Sequence, residues 1–88
     1  MISENDKKNI LEISKKYKAK KVFLFGSGST SKESRDIDLA VEGIPNSIFF
    51  KFYSELIFSL SKPVDLVDLS KKSRFNDLIL SDGILLYG

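Results

Sequence analysis

The chain has 88 residues, 14 of them Lys or Arg and 12 Asp or Glu, for a formal net charge of +2, and it contains neither cysteine nor histidine. That double absence excludes disulfides, thiolate nucleophiles, zinc fingers, Ser-His-Asp triads and imidazole acid/base catalysis, so a bound metal must be held by oxygen ligands, which suits a hard cation such as Mg²⁺. A hydrophobic fraction of 42% with 30% charged residues is the profile of a folded protein. Residues 1–88 are long enough for one small domain, which at this size buries about 60 to 65% of its unfolded surface. No apolar run approaches the roughly 20 residues of a membrane span, and the start "MISENDKKN" lacks a signal peptide's apolar core, so the expectation is a cytoplasmic protein with no membrane association.

Ser3 followed three residues later by Asp6 predicts a helix start, and Ile10, Ile13 and Tyr17, widened by Leu11, give an apolar stripe for a helix over 4–18. Half of the basic residues fall before position 22, at Lys7, Lys8, Lys15, Lys16, Lys18, Lys20 and Lys21. They read as a solvated face, with nucleic acid, an acidic partner or nucleotide phosphates as the alternatives. "KVFLF" (21–25) predicts a central strand covered on both faces. The turn "GSGSTS" follows, then "DIDLAV" as a second strand over about 36–42.

Gly43 and Pro45 break the chain, after which Asn46 or Ser47 is expected to cap a long helix through "IFFKFYSELIFSLS". Phe49, Phe52, Tyr53, Leu56, Ile57 and Leu60 are its expected core stripe. Phe50 and Phe58 form a second apolar row that needs a cover, either core packing or a protein interface, which leaves a homo- or hetero-oligomer open. "KPVDLVDL" (62–69) predicts a third strand, "SRFNDLILSD" (73–82) a short helix capped by Ser73, and "GILLYG" a last strand. The pattern implies an α/β (α+β) architecture, a small mixed sheet with helices against it.

Two acids inside an apolar strand need something to balance them, because like charges raise each other's pKa and burial penalises both. Alternation along a strand puts Asp36 and Asp38 on one face, with Ile37 and Leu39 on the other. Such a pair can bridge two divalent ions. Upstream, Gly26 lets the backbone approach a phosphate, and if a short helix begins near residue 28, Ser27, Ser29 and nearby backbone N–H groups form an anion cradle. A third acid is offered by Asp65 or Asp68; three apart on a strand, they face opposite sides, and Asp65 is the better placed to join the pair.

"GSGSTSKESRDIDLAV" followed by "PVDLVDL" resembles the minimal nucleotidyltransferases of the DNA polymerase β superfamily, whose signature is Gly-Ser, a spacer, an Asp-x-Asp strand and a later lone Asp. The resemblance spans roughly residues 10–88. It implies a nucleotidyltransferase fold and a transfer, with two Mg²⁺ ions, of a nucleoside monophosphate from a triphosphate such as ATP to a hydroxyl. Gly26 and Ser27 would hold the triphosphate, Asp36 and Asp38 would ligate both ions, and Asp65 would ligate one and assist the nucleophile. It also implies a helical HEPN partner, often a toxin, to which such proteins act as antitoxins, in some cases by adenylylating a tyrosine. Nucleic acid is not expected as the acceptor in so small a domain. Thr30 and Ser31 stand where members often carry Arg and Gly, the spacer is shorter, and Arg35 precedes the first acid. A binding module that neutralises its partner without efficient catalysis is therefore the alternative reading.

Overall fold

The computed structural model describes residues 2–26 and 36–88. Its elements are α1 (Glu4–Lys16), β1 (Lys21–Leu24), β2 (Ile37–Glu42), α2 (Asn46–Ser59), β3 (Val64–Asp68), α3 (Arg74–Asp82) and β4 (Ile84–Tyr87). The expected helix start near residue 28 lies outside the described residues, as do Ser27, Ser29, Thr30, Ser31 and Arg35.

The helix ends follow from local chemistry. The Ser3 side chain accepts a hydrogen bond from the Asp6 backbone N–H at 3.1 Å, satisfying one of the amides that a helix start leaves without a partner. Ser73 caps α3 in the same way through Asn76 N–H. The cap expected from Asn46 or Ser47 is corrected: Pro45 occupies the N-cap position of α2 with no side-chain hydrogen bond, and Asn46 is already helical. Proline's fixed φ is compatible with the turn entering the helix, so the break after Gly43 sets the start without a polar cap.

The four strands form one mixed sheet in the order β3-β2-β1-β4. β1 pairs antiparallel with both β2 and β4, so "KVFL" is central as its apolar run predicts, while β2 and β3 run parallel. A parallel neighbour requires a crossover connection, and α2 supplies it. On one face Val22, Leu24, Ile37, Leu39, Val41 and Val64 pack with Ile10, Phe52 and Leu56 of α1 and α2. On the other, Phe23 and Ala40 pack with Leu69 and with Ile79 of α3.

Two polar ties fix the larger layer. Asp6, buried in α1, accepts hydrogen bonds from Ser61 N–H at 3.0 Å and Ser61 Oγ at 2.5 Å, joining α1 to the segment after α2. Tyr53 Oη donates to the Val64 carbonyl at 2.7 Å and ties α2 to the start of β3. The lysines of the first helix stay mostly at the surface, with Lys16 paired to Glu55 at 2.6 Å.

The core stripe of α2 is narrower than its periodicity suggests. Phe52, Leu56 and Leu60 are buried and Phe49 and Tyr53 pack at the margin, but Ile57 is 49% exposed, which corrects its placement in the core. Phe50 and Phe58 point outward, 80% and 88% exposed, so core packing does not account for that row. These positions divide the energetics of the helix. Phe52→Ala, which removes a fully buried ring set edge-on to Tyr17, is expected to cost about 3 to 5 kcal/mol in urea unfolding, and Phe58→Ser to change stability by less than about 0.5 kcal/mol.

Candidate active site

The parallel register of β2 and β3 sets Asp38 directly beside Asp65. Adjacent strands lie about 4.8 Å apart, so two acids at one register level meet side by side on the same face of the sheet. Asp36 lies just before β2, two residues from Asp38. Its neighbour Ile37 donates its backbone N–H to the Pro63 carbonyl at 2.8 Å, which extends the β2–β3 contact to this end of the strand. Ile37 and Leu39 are buried in the layer beneath, as alternation requires. The acids share the α3 face with Phe23, Ala40 and Val67.

Asp65 rather than Asp68 joins the pair. Asp68 aligns with Val41, three residues or about 10 Å along the strand. Its Oδ1 accepts Ser70 N–H at 2.9 Å and its carbonyl accepts Asn76 Nδ2, so it shapes the turn into α3. Gly26 is brought against the acids from the end of β1, where Phe25 N–H donates to the Asp38 carbonyl at 3.0 Å. With φ at +74°, Gly26 occupies the left-handed region, and a Cβ there would lie 2.6 Å from Asp38 Oδ2. The backbone of Gly26 thus approaches the Asp38 carboxylate more closely than any side chain would allow. Ser27 and Ser29, the other expected phosphate-binding residues, lie outside the described residues.

Electrostatics mark Asp38 as the focus of the group. Burial pushes its carboxyl above the ordinary carboxylate range, the charges of Asp65 and Asp36 push it further, and a protonated Asp38 gains a hydrogen bond to Asp65. Among the described residues no three acids are gathered tightly enough to enclose an ion as they stand. Asp36 and Asp65 are exposed, so their rotamers can change at little packing cost. An all-carboxylate donor set whose members repel one another suits a hard divalent cation, and the three residues fit Mg²⁺ on that chemistry.

A contact that sequence reasoning missed lies beside Gly26. Phe25 and Phe75, fifty positions apart, meet edge-to-face with ring centroids at 5.8 Å. They border a cleft of about 330 Å³ that Gly26 also lines. Phe25 carried a signal, an aromatic directly before the glycine; nothing in the sequence paired it with Phe75.

A family model described as "Polymerase beta, Nucleotidyltransferase" matches residues 8–88. The chain belongs to this nucleotidyltransferase family. No match was found among curated proteins. Among solved structures, a mutant of the MntA–HpeT toxin–antitoxin is 29% identical with a TM-score of 0.77, covering 100% of this chain and 74% of the other. A toxin–antitoxin with AMP-PNP is 28% identical with a TM-score of 0.72, over 93% and 73%. A Shewanella oneidensis complex of tri-AMPylated HEPN toxin with MNT antitoxin is 27% identical with a TM-score of 0.72, over 94% and 70%. This nucleotidyltransferase domain is therefore similar in fold and sequence to chains from HEPN/MNT toxin–antitoxin pairs. Among the described residues no helix is long and apolar enough to cross a membrane.

Two stability measurements test the site as a strained cluster. A group whose folded pKa is raised contributes stability at low pH that is lost as the pH rises through the raised value, so charged Asp38 opposes folding at neutral pH. Asp38→Asn in metal-free buffer at pH 7 is expected to stabilise the protein by roughly 0.5 to 1 kcal/mol, the scale of adjacent like charges on paired strands. Destabilisation in thermal melts would contradict the repulsion. Gly26→Ala is expected to cost about 1 to 2 kcal/mol because alanine resists the left-handed region, and to displace the Asp38 carboxylate, which can rotate away from the added methyl; the same melts with a crystal structure of the variant check both.

Proposed function

We propose that this domain is a Mg²⁺-dependent nucleotidyltransferase that moves AMP from ATP to a hydroxyl of a partner protein, as the antitoxin of a helical HEPN toxin. The observation that carries this reading is the register match of Asp38 with Asp65, with Asp36 two residues before and Gly26 against the Asp38 carboxylate. Asp36, Asp38 and Asp65 would hold the cation, with Gly26, Ser27 and Ser29 on the triphosphate side. Bound Mg²⁺ supplies charge neutralisation for the phosphates, the dominant requirement in phosphoryl transfer. In the transfer, an acceptor oxygen forms a bond to the α-phosphorus, the bond from that phosphorus to the bridging oxygen breaks, and pyrophosphate leaves. Asp65, exposed on β3 beside Asp38, would take the acceptor's proton. The AMP-PNP complex and the AMPylated HEPN toxin among the related structures support ATP as donor and a HEPN protein as acceptor. A cytoplasmic site of action is part of this proposal.

A second reading rests on a different surface. Phe50 and Phe58 project from α2, on the sheet face opposite the acids, and would let the domain bind and silence a partner without catalysis. The two readings separate in one assay. With labelled ATP, Mg²⁺ and the HEPN protein, wild type is expected to label the partner, and Asp36→Asn with Asp38→Asn to lower the rate at least about 100-fold, the scale for losing a preorganised electrostatic group. Labelling that survives the double change would sink the metal assignment. Tight binding with no labelling by wild type would establish the neutralising module.

A further inference from the structure

The cleft beside the acids has a lining that the transfer chemistry leaves unexplained. Its walls are Phe25 at the end of β1 and the face of α3 that carries Phe75, Leu78 and Asp82 at helical spacing. Phe75 and Leu78 are 53% and 60% exposed, an expense of apolar surface on a short helix that packs into the sheet mainly through Ile79. At about 330 Å³ the cleft falls within the range of about 300 to 1,000 Å³ typical of small-molecule sites. Gly26 lines the cleft and also abuts the Asp38 carboxylate, so a molecule bridging the two would pass over bare backbone. A nucleoside triphosphate has the matching form: an anionic tail for the cations at the aspartates and a flat apolar base a few ångströms away.

We propose that this cleft seats the nucleobase, which lies against the exposed ring of Phe75 and the side chain of Leu78. A T-shaped contact with Phe25 covers at most one face of the half-exposed Phe75 ring, and stacking on the other is the sequence-tolerant mode by which aromatic side chains hold bases. Asp82 is the charged side chain in this lining, and an ionised carboxylate only accepts hydrogen bonds. It selects a base that presents an amino group and disfavours one that presents a carbonyl there, so adenine is preferred over hypoxanthine.

The assignment rests on the nucleotidyltransferase reading, and calorimetric titration with ATP, ITP and inorganic tripolyphosphate, each with Mg²⁺, keeps the two distinguishable. Phe75→Ala is expected to weaken ATP binding about 5-fold or more while leaving tripolyphosphate affinity unchanged, because only ATP carries a base. Leu78→Ser, at a more exposed position, should act in the same direction and guards against misfolding of the first variant. Wild type should prefer ATP to ITP about 5-fold or more, and Asp82→Asn should narrow that preference. If ATP and tripolyphosphate bind wild type but the Phe75 and Leu78 variants weaken both equally or neither, the base seat is wrong and the triphosphate site stands. Equal affinity of wild type for ATP and ITP overturns the role of Asp82. If neither ligand binds wild type, the nucleotidyltransferase reading falls and the base seat with it.

Discussion

The confrontation of Asp38 and Asp65 across the β2–β3 ladder is the constraint around which the rest of this small domain is arranged. Paired like charges on adjacent strands oppose folding, so the sheet must be held by interactions elsewhere. They are found on the opposite face, where Ile37 and Leu39, the residues that alternate with the acids, are buried with Phe52 and Leu56 of α2. The two faces thus divide the labour: the one covered by α1 and α2 stabilises the strands, and the α3 face displays the acids.

The same division explains how Gly26 and the acids come to lie together. β1 is central and ends beside Asp38, which delivers Gly26 and Phe25 to the acids from the antiparallel side. β3 delivers Asp65 from the parallel side. α3 follows β3 closely, through a turn shaped by Asp68 and anchored by Asn76, whose Nδ2 donates to the carbonyls of Asp68 and Lys71. That anchor fixes where α3 starts and hence where Phe75 meets Phe25. An acid outside the cluster serves it by placing the helix that walls the cleft.

Much of this was legible in the sequence because the relevant signals are local. Ser3 with Asp6, and Ser73 before a short amphipathic run, carry their caps within four residues. Period-2 alternation in "DIDLAV" assigns the acids and the core residues to opposite faces, and the spacing of Asp65 and Asp68 allows only one of them to lie level with Asp38, which in the register is Asp65. What failed was non-local or ambiguous in period. α2 is apolar around much of its circumference, so its sequence does not say which arc meets the sheet, and Ile57 falls on the outer side. The Pro45 cap was missed because two good capping residues follow it directly. The pairing of β4 with β1, and the meeting of Phe25 with Phe75, depend on how distant segments are threaded, which no short window records.

The parallel pairing through α2 has one more implication. Because strand side chains alternate with a period of two, adding or deleting a single residue between Glu42 and Val64 that slid β3 by one place would turn Asp65 toward the core and bring an apolar neighbour up in its stead. Tyr53, clasping the Val64 carbonyl from the crossover helix, acts as the latch against that slip. A change in the length of this connection is therefore harmless to the acid pair only where a loop takes it up and β3 keeps its place.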